Sequence, residues 1–194
     1  TLLGLTDADD RQALYDAAYA VKAETVGRVA YYRGLIEFSN RCIKNCRYCG
    51  IRRDNAEVER FDTERDDILA MARWTYEAGY GSLTLQSGER QDEEFISYIE
   101  DLVRDIKKIG NGGLGLTLCV GEQTEETYRR WFAAGAHRYL LRIETSNPAL
   151  YARLHPQDGH HEWTVRRDCL RALGRIGYQV GTGDMIGLPG QTLE

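Results

Sequence analysis

Apolar positions along the chain follow two alternating rhythms, one of helical spacing and one of short β-prone runs. Between residues 6 and 24, Leu14, Ala17, Ala18 and Val21 fall at helical spacing behind Thr6 and Asp7 as candidate caps, which predicts an amphipathic helix. Residues 1–30 thus read as a helical lead-in. The run 32–39 (YRGLIEFS) predicts a first strand. Thr63 is expected to cap a helix that carries Ile68, Met71, Ala72 and Trp74 and stops at Gly79. The acidic stretch 62–67 reads as the exposed start of that helix, favourably placed on its dipole. Strand 82–87 then precedes helix 92–109, and strand 114–120 precedes helix 124–134. Strand 138–144 precedes helical segments 148–154 and 163–176, and a fifth strand, 179–186, leads into GLPGQT.

Strands alternating with helices predict right-handed βαβ units and a parallel sheet, an α/β fold. A closed (β/α)8 barrel has eight strands and usually about 250 residues. Five strands in 194 residues therefore predict a truncated TIM-type barrel over 31–194 that lacks its C-terminal third, with an open five-stranded sheet as the competing arrangement. Such a part is expected to turn over weakly by itself. No apolar run reaches the roughly 18 residues of a membrane span, and residues 1–10 lack the basic and apolar regions of a secretion signal. A cytoplasmic setting is expected. The net charge of −5 argues against a general nucleic-acid binder.

Five cysteines form no even disulfide framework. Cys119 and Cys169 are isolated, and packing is the simple reading of both. The other three, Cys42-Ile-Lys-Asn-Cys46-Arg-Tyr-Cys49, follow the first strand directly in a C-x3-C-x2-C arrangement. Thiolates suit iron–sulfur clusters, and a cubane needs four of them for saturation. Three leave one iron open to a substrate or cofactor. A zinc site would call for a fourth Cys or His nearby, whereas the closest histidine in sequence is His137. A non-catalytic iron–sulfur or zinc module stays open as the alternative.

This motif, with Tyr48 before its third cysteine, resembles the radical S-adenosylmethionine (SAM) superfamily. The resemblance implies a [4Fe–4S] cluster on Cys42, Cys46 and Cys49 whose open iron is chelated by SAM's amino and carboxylate groups. It implies reductive cleavage of SAM to a 5′-deoxyadenosyl radical, with Tyr48 against the adenine. Five stretches, 36–40 with the cysteine loop, 50–55, 85–89, 139–145 with Asn147-Pro148, and 187–192, are similar in order to the [FeFe]-hydrogenase maturase family HydE. That likeness implies a role in building the hydrogenase diiron subcluster, an iron-bearing or small-molecule substrate, other maturases as partners, and an electron donor such as ferredoxin or flavodoxin. Methylornithine synthase and biotin-synthase-like enzymes are the alternatives within the superfamily.

Gln86, Ser87, Gly88 and Glu89 close the second strand, where small residues let backbone approach a ligand. They stand where the superfamily holds SAM's amino group; a tight turn with a solvated glutamate is the competing reading. On strand four, alternation puts Leu140, Arg142 and Glu144 on one face and Leu141, Ile143 and Thr145 on the other. The first face would carry its charges to the barrel mouth, where they pair with each other or, as the resemblance implies, contact SAM. Arg166, three residues before Cys169, matches the family's carboxylate-binding arginine, with Arg167 one position away and a surface role open to either. Thr117 with Cys119, and Thr182 with Asp184, share faces of strands three and five and are candidate substrate contacts. His155, His160 and His161 lie in a polar stretch, HPQDGHH, that reads as an exposed loop.

Overall fold

The computed structural model describes residues 2–193, which form two compact units. One holds the residues up to Tyr32 together with those from Gly187 onward; the other is Arg33–Ile186. In the first, helix α1 (Ala8–Val26) is capped by Asp7, whose carboxylate accepts from the amides of Asp9 and Asp10. None of its residues is buried, so the predicted apolar stripe gains no buried face within its unit.

The second unit alternates strands and helices as predicted: β1 (Gly34–Ser39), α2 (Arg65–Glu77), β2 (Ser82–Ser87), α3 (Glu93–Lys108), β3 (Gly115–Cys119), α4 (Glu125–Ala134), β4 (Arg138–Leu140), α5 (Pro148–Leu154), α6 (Trp163–Ile176) and β5 (Gln179–Gly181). All neighbouring strands pair in parallel, in the order β1-β2-β3-β4-β5. A doubly wound sheet reverses its order at a switch point, whereas a (β/α) barrel adds strands in sequence. The fold is a five-stranded part of a TIM-type barrel.

Register sets Glu37, Gln86 and Cys119 side by side in one row. These residues alternate with the buried Leu83, Leu85, Leu116 and Leu118, which point at the helices. The helices answer with Ile68, Ile99, Leu102, Val103, Ile106 and Trp131. Between α4, β4 and β5, Tyr128, Tyr139 and Tyr178 pack edge to face at 5.1–6.4 Å. Each buried hydroxyl is bonded: Tyr139 donates to the Gly121 carbonyl, Tyr178 to the Tyr128 carbonyl, and Tyr128 accepts from the Gln123 amide.

Three local expectations are corrected. Glu64, not Thr63, stands at the start of α2, with no side-chain cap bond. Asp62 is drawn from the expected helix start to Ser39 and Arg41. Strands four and five are shorter than the alternation suggested: at Ile143 the acceptor is the Thr182 hydroxyl, and pairing resumes only as an isolated parallel bridge between Glu144 and Asp184.

Candidate functional site

Beyond β1 the cysteine loop curls back on itself. The Asn40 side chain donates to the Glu59 carbonyl and accepts from the Phe61 amide. The Arg60 guanidinium donates to the carbonyls of Asn40, Ile51, Arg52, Arg53 and Asn55, satisfying acceptors that a tight loop cannot pair internally. The adjacent turn after β2 holds the first cysteine: Ile43 donates to the Glu89 carbonyl, and the Cys42 sulfur accepts from the amides of Glu89 and Lys44 at 3.3 and 3.4 Å. A Cβ on Gly88 would lie 2.2 Å from the Arg41 carbonyl oxygen and 2.7 Å from the Cys42 Cβ, so this close approach needs glycine.

Cys42, Cys46 and Cys49 all line one cavity of about 450 Å³ at the C-terminal ends of the strands. Small-molecule sites span about 300–1,000 Å³. Tyr48, Gln86, Ser87, Gly88 and Glu89 share its wall, as do Cys119, Arg142, Glu144 and Arg166. The three thiols do not converge as a single-ion site needs: among the described residues no three His, Cys, Asp or Glu side chains do. Burial raises the Cys42 thiol and pushes that of Cys46 up to about 11, so iron binding would release their protons.

Beneath the loop lies a charge network that sequence reading missed. Lys44 Nζ sits 2.8 Å from Glu122 and 3.3 Å from Glu89, and also donates to the His160 carbonyl. Arg166 Nε lies 2.8 Å from Glu122, while its Nη1 donates to the Arg142 carbonyl. All four side chains are buried, with two cations balancing two carboxylates. Burial opposes the Lys44 charge, but Glu89 and Glu122 outweigh it and raise its pKa; burial raises that of Glu89. The signal was a repeat: Gly88-Glu89 after β2 recurs as Gly121-Glu122 after β3. A Cβ on Gly121 would meet the Glu89 side chain at 2.4 Å.

Other candidates are placed less as expected. Glu89 is neither solvated nor free, since its carboxylate also accepts from the Glu122 amide. Gln86 donates to Glu37, and the Ser87 hydroxyl to the Gly88 carbonyl. Although β4 ends at Leu140, Leu140, Arg142 and Glu144 all line the cavity; Arg142 is exposed, whereas Glu144 is buried with φ +67°. Leu141, assigned to the opposite face, also reaches the cavity wall. Arg166 lines the cavity; Arg167 lies half-buried over the Trp163 ring and pairs with Asp168. Cys119 reaches the wall, but Thr117 does not, and Thr182 and Asp184 are exposed and outside it. Cys169 is buried, as packing predicts. His155 and His161 are buried rather than solvated, because the cysteine loop covers them: His161 Nε2 accepts from the Asn45 amide and His155 Nε2 meets the Tyr48 hydroxyl.

A barrel-type parallel sheet with three thiols from one loop beside a ligand-sized cavity defines a (β/α)-barrel protein with a candidate iron–sulfur site. Residues 36–194 match the Radical SAM superfamily model, and the chain belongs to that superfamily, whose members use a [4Fe–4S] cluster and SAM. It is 41% identical over 193 residues to the [FeFe] hydrogenase maturase subunit HydE of Thermotoga maritima, covering 99% of this chain and 53% of that protein. Biotin synthase 1 of Corynebacterium diphtheriae is 26% identical over 93% of this chain and 51% of its own. The maturase HydG of Carboxydothermus hydrogenoformans shares the fold with a TM-score of 0.86 at 24% identity, over 97% of this chain and 44% of that one. The chain spans about half the length of the curated relatives it matches. Among the described residues, no helix is long and apolar enough to cross a membrane.

Proposed function

We propose that this chain provides the cluster- and SAM-binding part of a HydE-type [FeFe]-hydrogenase maturase, acting on a small or iron-bearing substrate during assembly of the diiron subcluster. The observation that carries the reading is that Cys42, Cys46 and Cys49 open onto the same cavity as Glu144 and Arg166. When bound, the reduced cluster supplies the electron that splits SAM into methionine and the 5′-deoxyadenosyl radical.

The chain's own residues bind and orient. Cys42, Cys46 and Cys49 would hold the cluster as thiolates, and three ligands would leave one iron open to the methionine amino and carboxylate groups of SAM. Arg166 is the partner for that carboxylate, with its guanidinium oriented by Glu122 and the Arg142 carbonyl. Backbone at Ser87 and Gly88 would hold the amino group, and Tyr48 would contact adenine, since all three line the cavity. Glu144, a buried carboxylate raised by burial, serves the ribose or amino end, and Arg142 lies beside it. Its left-handed backbone is costly for a residue other than glycine, and such strain concentrates at working sites. Cys119 faces the substrate side. Further maturases, with ferredoxin or flavodoxin as electron donor, are the partners this reading calls for.

Anaerobic reconstitution tests it. About four irons per chain and a reduced-cluster EPR signal that changes on adding SAM are expected. 5′-Deoxyadenosine should then form faster with an iron–cysteine precursor than with lysine. Preference for lysine would move the assignment to methylornithine synthase. One zinc per chain with no response to SAM would remove the enzyme reading altogether.

A further inference from the structure

Tyr48 is the one aromatic residue of the cysteine loop, and its ring is held from behind. Its hydroxyl lies 3.1 Å from His155 Nε2, and the two rings meet edge to face at 5.4 Å. On the other side of the imidazole, Nδ1 is 2.8 Å from the Tyr151 carbonyl, and the Tyr151 ring stacks on it at 3.8 Å. A carbonyl only accepts, so Nδ1 carries the proton. Nε2 of the neutral ring then accepts from the Tyr48 hydroxyl. Burial depresses the His155 pKa to about 4, which keeps the ring neutral at ordinary pH. His155 has no exposed surface and is not part of the cavity wall, whereas Tyr48 is 39% exposed and is. The same segment holds the loop's backbone, since the Leu154 carbonyl accepts from the Arg47 amide at 3.0 Å.

We propose that His155 is a positioning residue for SAM, fixing the Tyr48 ring in the orientation that presents it to the cavity. The inference rests on Tyr48 being the adenine contact, and it adds what sets that contact's geometry. A tyrosine on a loop has two rotatable side-chain bonds, and ordering it on binding costs affinity. The chain Tyr48–His155–Tyr151 carbonyl settles that order before the cofactor arrives. His155 therefore acts on affinity for SAM and not on the electron-transfer step.

Equilibrium dialysis of SAM against cluster-loaded, oxidised protein tests this without turnover. His155→Phe keeps the stack and removes the acceptor. It is expected to bind SAM about threefold to tenfold more weakly, the range one neutral hydrogen bond commands, with iron content unchanged. Tyr48→Phe breaks the same bond from the other side and also removes the hydroxyl's contact with Cys46, so its loss should be at least as large, and the double variant should lose no more than Tyr48→Phe alone. His155→Gln, whose amide oxygen reaches the Nε2 position, should recover most of the affinity. In turnover, His155→Phe should raise KM for SAM with kcat unchanged. Should His155→Phe fail to fold, Tyr48→Phe and His155→Gln still decide the matter. Wild-type affinity in Tyr48→Phe, or additive losses in the double variant, would overturn the role of His155. Wild-type affinity in Tyr48→Ala would instead overturn the adenine reading beneath it.

Discussion

Glu122 holds together residues far apart in sequence, with Lys44 on one carboxylate oxygen and Arg166 on the other. Its neutral isostere leaves two buried cations with one remaining carboxylate, Glu89. Glu122→Gln is therefore expected to cost about 3 kcal/mol in chemical denaturation, the scale for breaking a buried pair from one side. Substitution at Glu125, which pairs with Arg129 and Arg175 at the surface, should change stability by less than about 1 kcal/mol. His155 gives a pH signature of definite sign. Its ordinary value of 6.5 falls to about 4 in the folded protein, mainly through burial. The unfolded chain thus takes up a proton that the folded one refuses. The contribution is whole above pH 6.5 and is lost as pH falls toward 4. Unfolding free energy measured across that window should decline less steeply in His155→Gln than in the wild type.

At the level of elements, the turns after the strands matter more than the strands. The β2–α3 turn seats Cys42 only because position 88 carries no side chain. The obstacle to a methyl group there is backbone, which cannot swing aside. Gly88→Ala is expected to lose most of its iron after reconstitution while keeping its helical circular dichroism. Gly81→Ala, with open space around the added carbon, should retain both. Helix starts were legible because capping is local: Asp7, Asp92, Thr124 and Asn147 each bond the amides of their own first turn. Strand ends were not. Whether β4 continues past Leu140 depends on what β5 offers across the gap, and there the Thr182 hydroxyl takes the place of a backbone acceptor. Arg142 and Glu144 still reach the cavity wall beyond the end of the regular strand, whereas Thr182 and Asp184 lie outside it.

Across the whole barrel unit, a sheet that adds strands in order depends on the aromatic contacts joining successive βα units. Trp131 of α4 has no exposed surface, stacks on Tyr139 of β4 and donates to the Ile96 carbonyl of α3. Trp131→Ala should cost about 4 kcal/mol, read as a lower midpoint in a denaturant titration. The sequence alone determined the alternation of strand and helix, the capped helix starts and the three thiols that follow β1. Each of these is written in residues a few positions apart. The tertiary structure alone decided which polar residues are buried and what they meet. Lys44, Glu89, Glu122 and Arg166 come from four separate stretches, and the histidine-bearing segment is covered by the loop it supports. A charge or an imidazole tolerates burial only when partners reach it from elsewhere in the chain. Local spacing carries no record of those partners, and only the closed fold brings them together.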